Sequence, residues 1–231
     1  MKIISIIPAR MGSSRFPGKP LAKINGIPMI QHVYRNVKKN KLMSEVVVAT
    51  CDKIIFDFFR SINGNAIMTS KKHERASERC CEALRVIEKR KNIKYDIVVM
   101  VQGDEPMINS AMIDESIQPF SNNKKVNVVN LMSSIDNQKD FDDPNFIKIV
   151  HDKNNNALYF SRANIPHVKF RRDFLIKYNK MKPTSLEKIE SIDMLRILEN
   201  GYKVFLVQTK HFSHAVDTKK DLFKVAKYMR K

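Results

Sequence analysis

The sequence predicts an α/β fold in three layers, with helices on both faces of a mostly parallel mixed sheet. Three observations carry that expectation. Short apolar runs alternate with amphipathic helical patterns through the first half of the chain, the order that builds a parallel sheet by right-handed crossovers. At 231 residues, 43% of them hydrophobic, the chain suffices for one sizeable core. No low-complexity stretch or internal repeat divides it, so residues 1–231 read as a single domain, with an excursion around residues 125–200 where the alternation becomes less regular.

The elements follow in order. Lys2–Ile7, Glu45–Ala49, Asn65–Met68 and Asp96–Val101 are short runs rich in Ile and Val, the pattern of strands buried on both faces. Met29–Lys39, Lys53–Ser61 and Ser77–Lys91 carry the helical period between them. Asn25-Gly26, between two short apolar pieces, marks a tight hairpin turn. In the second half, Ala111–Phe120 reads as helix, and Val126–Met132, Phe146–His151, Ala157–Ser161 and Val204–Val207 as strands. Thr184-Ser185-Leu186-Glu187 has the form of a capping box and predicts one helix running to Asn200, with Gly201 as its C-terminal stop. Thr218 with Asp221 behind it predicts the start of a last helix over Lys219–Lys231.

Composition excludes several classes. No apolar run reaches the ~18 residues of a membrane helix. The N-terminus lacks a secretory layout, so a cytoplasmic protein is expected. Cys51, Cys80 and Cys81 have neither disulfide-framework nor zinc spacing. The net charge of +18 would suit a nucleic-acid binder, but the lysines are scattered and no aromatic stacking platform is interleaved with them. The positive field would instead draw in small anionic substrates.

The most informative stretch follows the first strand: Pro8-Ala9-Arg10-Met11-Gly12-Ser13-Ser14-Arg15-Phe16-Pro17-Gly18-Lys19-Pro20-Leu21. Small residues let backbone N–H groups approach a phosphate, and Arg10, Arg15 and Lys19 would neutralise several phosphate oxygens at once, which suits a nucleoside triphosphate. Neither the Walker loop nor the dinucleotide fingerprint fits its spacing. Gln102-Gly103-Asp104-Glu105-Pro106 follows another strand end, where Asp104 is placed either to hold Mg²⁺ against phosphate or to bond its own turn. Ligands in such sheets bind at the carboxyl ends of strands, so both loops would face one site. Asp217, taken alone, reads as a helix-capping residue, and Arg79 as an exposed helix cation. Arg162 suits either a bidentate contact with a carboxylate or a strand-end surface. Glu187, Glu190 and Asp193 stand three residues apart, on roughly one helix face, either to accept bonds from hydroxyls or as a solvated acidic surface.

These motifs resemble those of the sugar-nucleotide cytidylyltransferases, and within them the 3-deoxy-manno-octulosonate (Kdo) cytidylyltransferase, or CMP-Kdo synthetase, family. The matching segments are Pro8-Ala9-Arg10 with Ser13–Leu21, Gln102–Pro106, Val216-Asp217-Thr218, Ala157–Arg162 with Ile165-Pro166, and Leu186-Glu187 with Glu190. The resemblance implies a nucleotide-diphospho-sugar transferase-like (Rossmann-like) fold and a homodimer. It implies transfer of CMP from CTP to Kdo, releasing pyrophosphate, for lipopolysaccharide biosynthesis. It further implies Mg²⁺ on Asp104 and Asp217, catalytic roles for Arg10, Lys19 and Asp104, and substrate contacts from Ser13, Arg15, His73, Arg79, Gln102, Arg162, Glu187 and Glu190. CTP and an acid sugar are then the partners, without nucleic acid or membrane insertion. No cysteine or serine stands in a triad context, so no covalent nucleophile is expected.

Three departures bear on specificity. The family's His-x-Ser-Gly-Thr-x-Arg keeps His73 and Arg79 but reads Arg75-Ala76-Ser77 in its centre. Its Glu-Gln pair is Asp193-Met194 here. After Pro166 a family segment is missing, and with it a sugar-contacting histidine and a sheet strand are expected to be absent; His167 sits too early to replace that histidine. A different acid sugar, or a nucleotide-binding protein without catalysis, are therefore the alternative readings.

Overall fold

The computed structural model describes residues 1–12, 16–134, 148–161, 168–190, 192–211 and 213–230. A seven-stranded sheet runs β11-β7-β10-β6-β1-β4-β5. Its strands are β1 (Ile3–Ala9), β4 (Glu45–Thr50), β5 (Ala66–Met68), β6 (Ile97–Met100), β7 (Val128–Met132), β10 (Val168–Arg171) and β11 (Phe205–Gln208). Every neighbouring pair is parallel except those made by β10, which lies antiparallel between β6 and β7. Two small antiparallel pairs stand apart: β2 (Lys23–Ile24) with β3 (Ile27–Pro28), and β8 (Lys148–His151) with β9 (Ala157–Ser161).

Strand residues alternate between the two faces, and both faces are covered. Ile4 and Ile6 of β1 join one core with Val98, Met100 and the helix α3 (Ala76–Lys91); Ile3 and Ile7 join another with Val46, Val48 and the helices α1 (Met29–Lys38) and α4 (Ser110–Asn122). This is why the first-half strands read as unbroken apolar runs. The helix α2 (Lys53–Ser61) sends Ile55 and Phe59 into the second core. Asn25 and Gly26 take positive φ of 49° and 81°, closing the β2–β3 hairpin as the Asn-Gly pair predicts.

The sheet contains the strand expected to be missing. Phe170 of β10 is fully buried and pairs with Val98 on one side and Val128 on the other. Two arginines fix it. Arg171 donates from Nε to Val126 O (2.6 Å) and from a terminal nitrogen to Phe120 O (3.2 Å), at the carboxyl end of α4. Arg172 opens α5 (Arg172–Tyr178) and pairs with Glu88 of α3 at 2.7 Å. Consecutive side chains thus tie β10 to a helix on each face. Four residues running straight into a helix carry too weak a period-two signal to be seen in the sequence.

A second correction concerns the predicted Thr184–Asn200 helix. It is two helices, α6 (Ser185–Glu190) and α7 (Asp193–Glu199). Ile192, extended at φ −119° and ψ 110°, separates them and is buried. The break puts Asp193 on the second helix, where Arg75 still lies beside both its carboxylate and that of Glu187. Gly201, at φ +76°, ends α7 with its N–H on Leu198 O and that of Tyr202 on Ile197 O, as predicted. The last helix, α8 (Lys219–Tyr228), begins with the Thr218–Asp221 capping box.

Candidate active site

The sheet order changes direction at β1: β4 and β5 lie to one side, β6 and the later strands to the other. Such a switch point opens a crevice at the strands' carboxyl ends. Here it is a cleft of 310 Å³ bounded by the loop after β1, the loop after β6 and the start of α3. Arg10, Lys19, His73, Arg75, Arg79, Gln102 and Asp104 line it. Loops separated by up to 94 residues therefore converge, and cations outnumber carboxylates along the wall.

The loop after β1 is held at its ends. Met11 N–H donates to Asp52 Oδ2 (2.7 Å), and Gly18 N–H to Met11 O (3.0 Å). Gly18 takes φ +74° and leads into a 3₁₀ turn over Lys19–Leu21, which aims Lys19 inward. Arg10 is exposed at the mouth, and among the described residues its guanidinium has no ion pair. The loop after β6 lies against β1 so closely that a Cβ on Gly103 would stand 3.0 Å from Pro8 O and 2.9 Å from Ile30 Cδ1. Glycine is needed there for backbone approach.

Asp104 and Asp217, 113 positions apart in sequence, meet at Lys19. Its Nζ lies 2.5 Å from Asp104 Oδ2 and 3.4 Å from Asp217 Oδ1. Val216 N–H donates to Asp104 O (3.0 Å), fastening the two carboxylate loops together. A small core of Phe16, Ile24, Met29, Val216 and Val225 docks α8 on the hairpin and so sets Asp217 in place. Thr218, not Asp217, caps the helix; the capping role read from the isolated sequence belongs to the next residue. Two carboxylates, that of Asp217 buried and that of Asp104 half-buried, already share a cation and have the all-oxygen chemistry Mg²⁺ prefers. Among the described residues no group of three or more His, Cys, Asp or Glu is set to hold a metal, so phosphate and water would complete the shell.

Glu105, quoted in the motif but given no role, is buried and accepts from Ser213 Oγ at 2.9 Å. Burial, and then the adjacent Asp104 carboxylate, push it up to about 8. Only the fold reveals this, because the neighbouring acids read alike in sequence.

The far wall is built from α3. Arg79, expected at the surface if it were a plain helix cation, is 3% exposed and donates to Thr69 Oγ1 (2.5 Å). His73 bonds Glu82 through Nε2. Burial would raise Glu82, but the Ser70 N–H and His73 bonds prevail and hold it below the usual carboxylate range. Beyond this wall, Glu187 is wholly buried with both oxygens taken by Arg196, Nε at 2.7 Å and a terminal nitrogen at 2.5 Å. Glu190 is half-buried and accepts from Tyr159 OH at 3.4 Å. Neither lines the cleft among its described walls. Ser13, Arg15 and Arg162 lie outside the described residues, as does His167.

A mostly parallel sheet with a cationic cleft at its switch point, and a pair of acids meeting at the cleft's Lys19, defines a nucleotidyltransferase-type site, and the cytidylyltransferase family model matches residues 4–172. A 3-deoxy-manno-octulosonate cytidylyltransferase of Geobacter sulfurreducens is 42% identical over 256 aligned positions, covering 100% of both chains; that of Fusobacterium nucleatum is 40% identical, covering 100% of this chain and 98% of its own. The solved structure of a CMP:2-keto-3-deoxy-manno-octonic acid synthetase complexed with CTP superposes with a TM-score of 0.89 at 33% identity, over 100% of this chain and 99% of that one. The chain belongs to the cytidylyltransferase family, in the 3-deoxy-manno-octulosonate branch these relatives represent, and has the nucleotide-diphospho-sugar transferase fold. The 256 aligned positions against 231 residues show that the Geobacter sulfurreducens relative carries extra sequence.

Proposed function

We propose that this protein couples CTP to Kdo, giving CMP-Kdo and pyrophosphate. The observation that carries the reading is the meeting of Arg10, Lys19, Gln102 and Asp104 at one cleft, with Asp217 against Lys19, in a chain of this family. The anomeric hydroxyl of the sugar would attack the α-phosphorus of CTP. A P–O bond to the sugar forms as the bond from the α-phosphorus to the bridging oxygen breaks; pyrophosphate leaves with that oxygen, and the hydroxyl proton is given up to solvent. Arg10 and Lys19 neutralise charge on the triphosphate and the departing anion. Arg15, from the same loop, would add to them. Arg79, buried and held by Thr69, offers a fixed donor to the cytosine end, with His73 beside it. Gln102 faces the junction of nucleotide and sugar.

Asp104 and Asp217 are the residues that would hold Mg²⁺, with Lys19 yielding its place between them. When bound, Mg²⁺ supplies charge neutralisation at the phosphate oxygens. The rest is positioning: the chain's own groups fix the two reactants in line, which is most of what phosphoryl and nucleotidyl transfer need. Arg162, Glu187 and Glu190 remain proposed for the sugar side on the family motif, Glu187 through Arg196 rather than by direct contact. A cytoplasmic homodimer, acting where CTP is available and supplying lipopolysaccharide synthesis, completes the reading.

The test is pyrophosphate release from CTP, Mg²⁺ and Kdo with mass detection of the product. CMP-Kdo is expected. Asp104→Asn and Arg10→Ala should each lower kcat/KM on the order of 10²–10³-fold in folded protein; full turnover in either variant sinks the site. A related acid sugar is the second reading. It is favoured by Met194, which is 4% exposed in the core and offers no hydrogen-bonding group to a sugar.

A further inference from the structure

Arg75 stands where the cleft meets α6 and α7. It precedes the first residue of α3, and its side chain, 27% exposed, lines the cleft wall. Its backbone N–H is taken by Glu78 Oε2 at 3.1 Å, which fixes the start of the helix. The guanidinium is less committed. Its Nε is 3.9 Å from Glu187 Oε1 and a terminal nitrogen is 3.6 Å from Asp193 Oδ1. Both separations exceed a hydrogen bond.

Neither carboxylate depends on Arg75. Glu187 is already saturated by Arg196, and Asp193 accepts from Ser77 Oγ at 2.8 Å. The two acids flank the guanidinium, one beside Nε and one beside a terminal nitrogen, and among the described residues no hydrogen bond takes the N–H pair at its tip. A planar fork flanked by acids and unbonded at its tip can take a carboxylate in two parallel bonds. The cations at the other end, Arg10 and Lys19, are placed for the triphosphate. Arg75 lies apart from them, on the side facing the helices.

We propose that Arg75 binds the carboxylate of the acid sugar and is a specificity-determining residue of this enzyme. The inference rests on the cytidylyl-transfer reading above. Asp193 positions Arg75, and Ser77 Oγ donates to its Oδ2. Selection would then favour acid sugars over their neutral counterparts, since only a carboxylate takes the fork in two charge-assisted bonds.

Steady-state kinetics with CTP, Mg²⁺ and Kdo separate the outcomes. Wild-type turnover is measured first; if no CMP-Kdo forms, the underlying reading fails and this inference falls with it. With an active wild type, Arg75→Gln is expected to raise the KM for Kdo about tenfold or more, leave the KM for CTP within about twofold, and narrow the preference for Kdo over its C1 amide. Arg75→Lys keeps the charge without the fork and should recover part of the loss; it also serves if the glutamine variant does not fold. An unchanged KM for Kdo in both variants, or a rise confined to the KM for CTP, overturns the proposal.

Discussion

Glu187 has no exposed surface, and a carboxylate in that position needs a counter-charge. Arg196, 4% exposed, supplies it with two hydrogen bonds and stacks its guanidinium 4.7 Å from the centre of the Tyr178 ring. The pair joins α6 to α7 across the break at Ile192, so it holds in place the helices against which Arg75 rests. Removing one partner strands a buried charge, whereas removing both does not. Arg196→Leu is expected to lower the unfolding free energy by about 3–5 kcal/mol in urea. The double variant Arg196→Leu with Glu187→Leu should recover most of that loss. Equal destabilisation in the single and double variants would mean that the pair contributes through shape alone.

At the scale of the element, α8 shows how a cap positions chemistry at a distance. Thr218 and Asp221 exchange bonds at the helix start: Asp221 Oδ2 accepts from Thr218 N–H at 2.8 Å and from Thr218 Oγ1 at 2.7 Å, and Asp221 N–H reaches Thr218 Oγ1 at 3.3 Å. Asp217 immediately precedes this box, so a firm helix start keeps its carboxylate at Lys19. Thr218→Ala should cost about 1 kcal/mol, read by thermal unfolding. Asp221 adds a pH signature. Burial would raise its carboxyl, but the Thr218 bonds and the His214 ring prevail and hold it below the usual range. A lowered folded-state pKa means stability that is full above the unfolded value and lost as pH falls through the folded one. The deficit of Asp221→Asn is therefore expected to be largest at neutral pH and to shrink in acid. A deficit independent of pH would assign the effect to packing.

At the scale of the whole molecule, the sheet order brings the site together. The β8–β9 hairpin exposes Val150 (57%) and Leu158 (59%), and the nearby α6 exposes Ile189 (74%). Exposed aliphatic groups of that size suit burial against a second copy. Sedimentation of the protein is expected to give a dimer, and Leu158→Asp with Ile189→Asp a monomer. A wild-type monomer at micromolar concentration would remove the homodimer from the proposal. Among the described residues, no helix is long and apolar enough to cross a membrane.

Much of this was legible in the chain before folding. The first-half strands and helices match their predicted bounds to within two residues, because each buried face writes its own period into local sequence. The hairpin at Asn25-Gly26 and the capped helix after Thr218 were equally plain, since turn and cap chemistry is local. The strand-end position of Asp104 could be read directly, and the motifs around it and in the first loop led to the family. Tertiary structure alone decided the rest. It inserted β10 in reverse between β6 and β7, where arginines reaching opposite faces anchor a strand too short to announce itself. It split the Thr184–Asn200 segment at a buried isoleucine, buried Arg79 against Thr69, closed Glu187 onto Arg196, and set Lys19 between two aspartates. Each of these depends on contacts between residues distant in the chain, which local periodicity and capping rules do not encode. The free energy of such contacts comes from burial and pairing in the assembled fold.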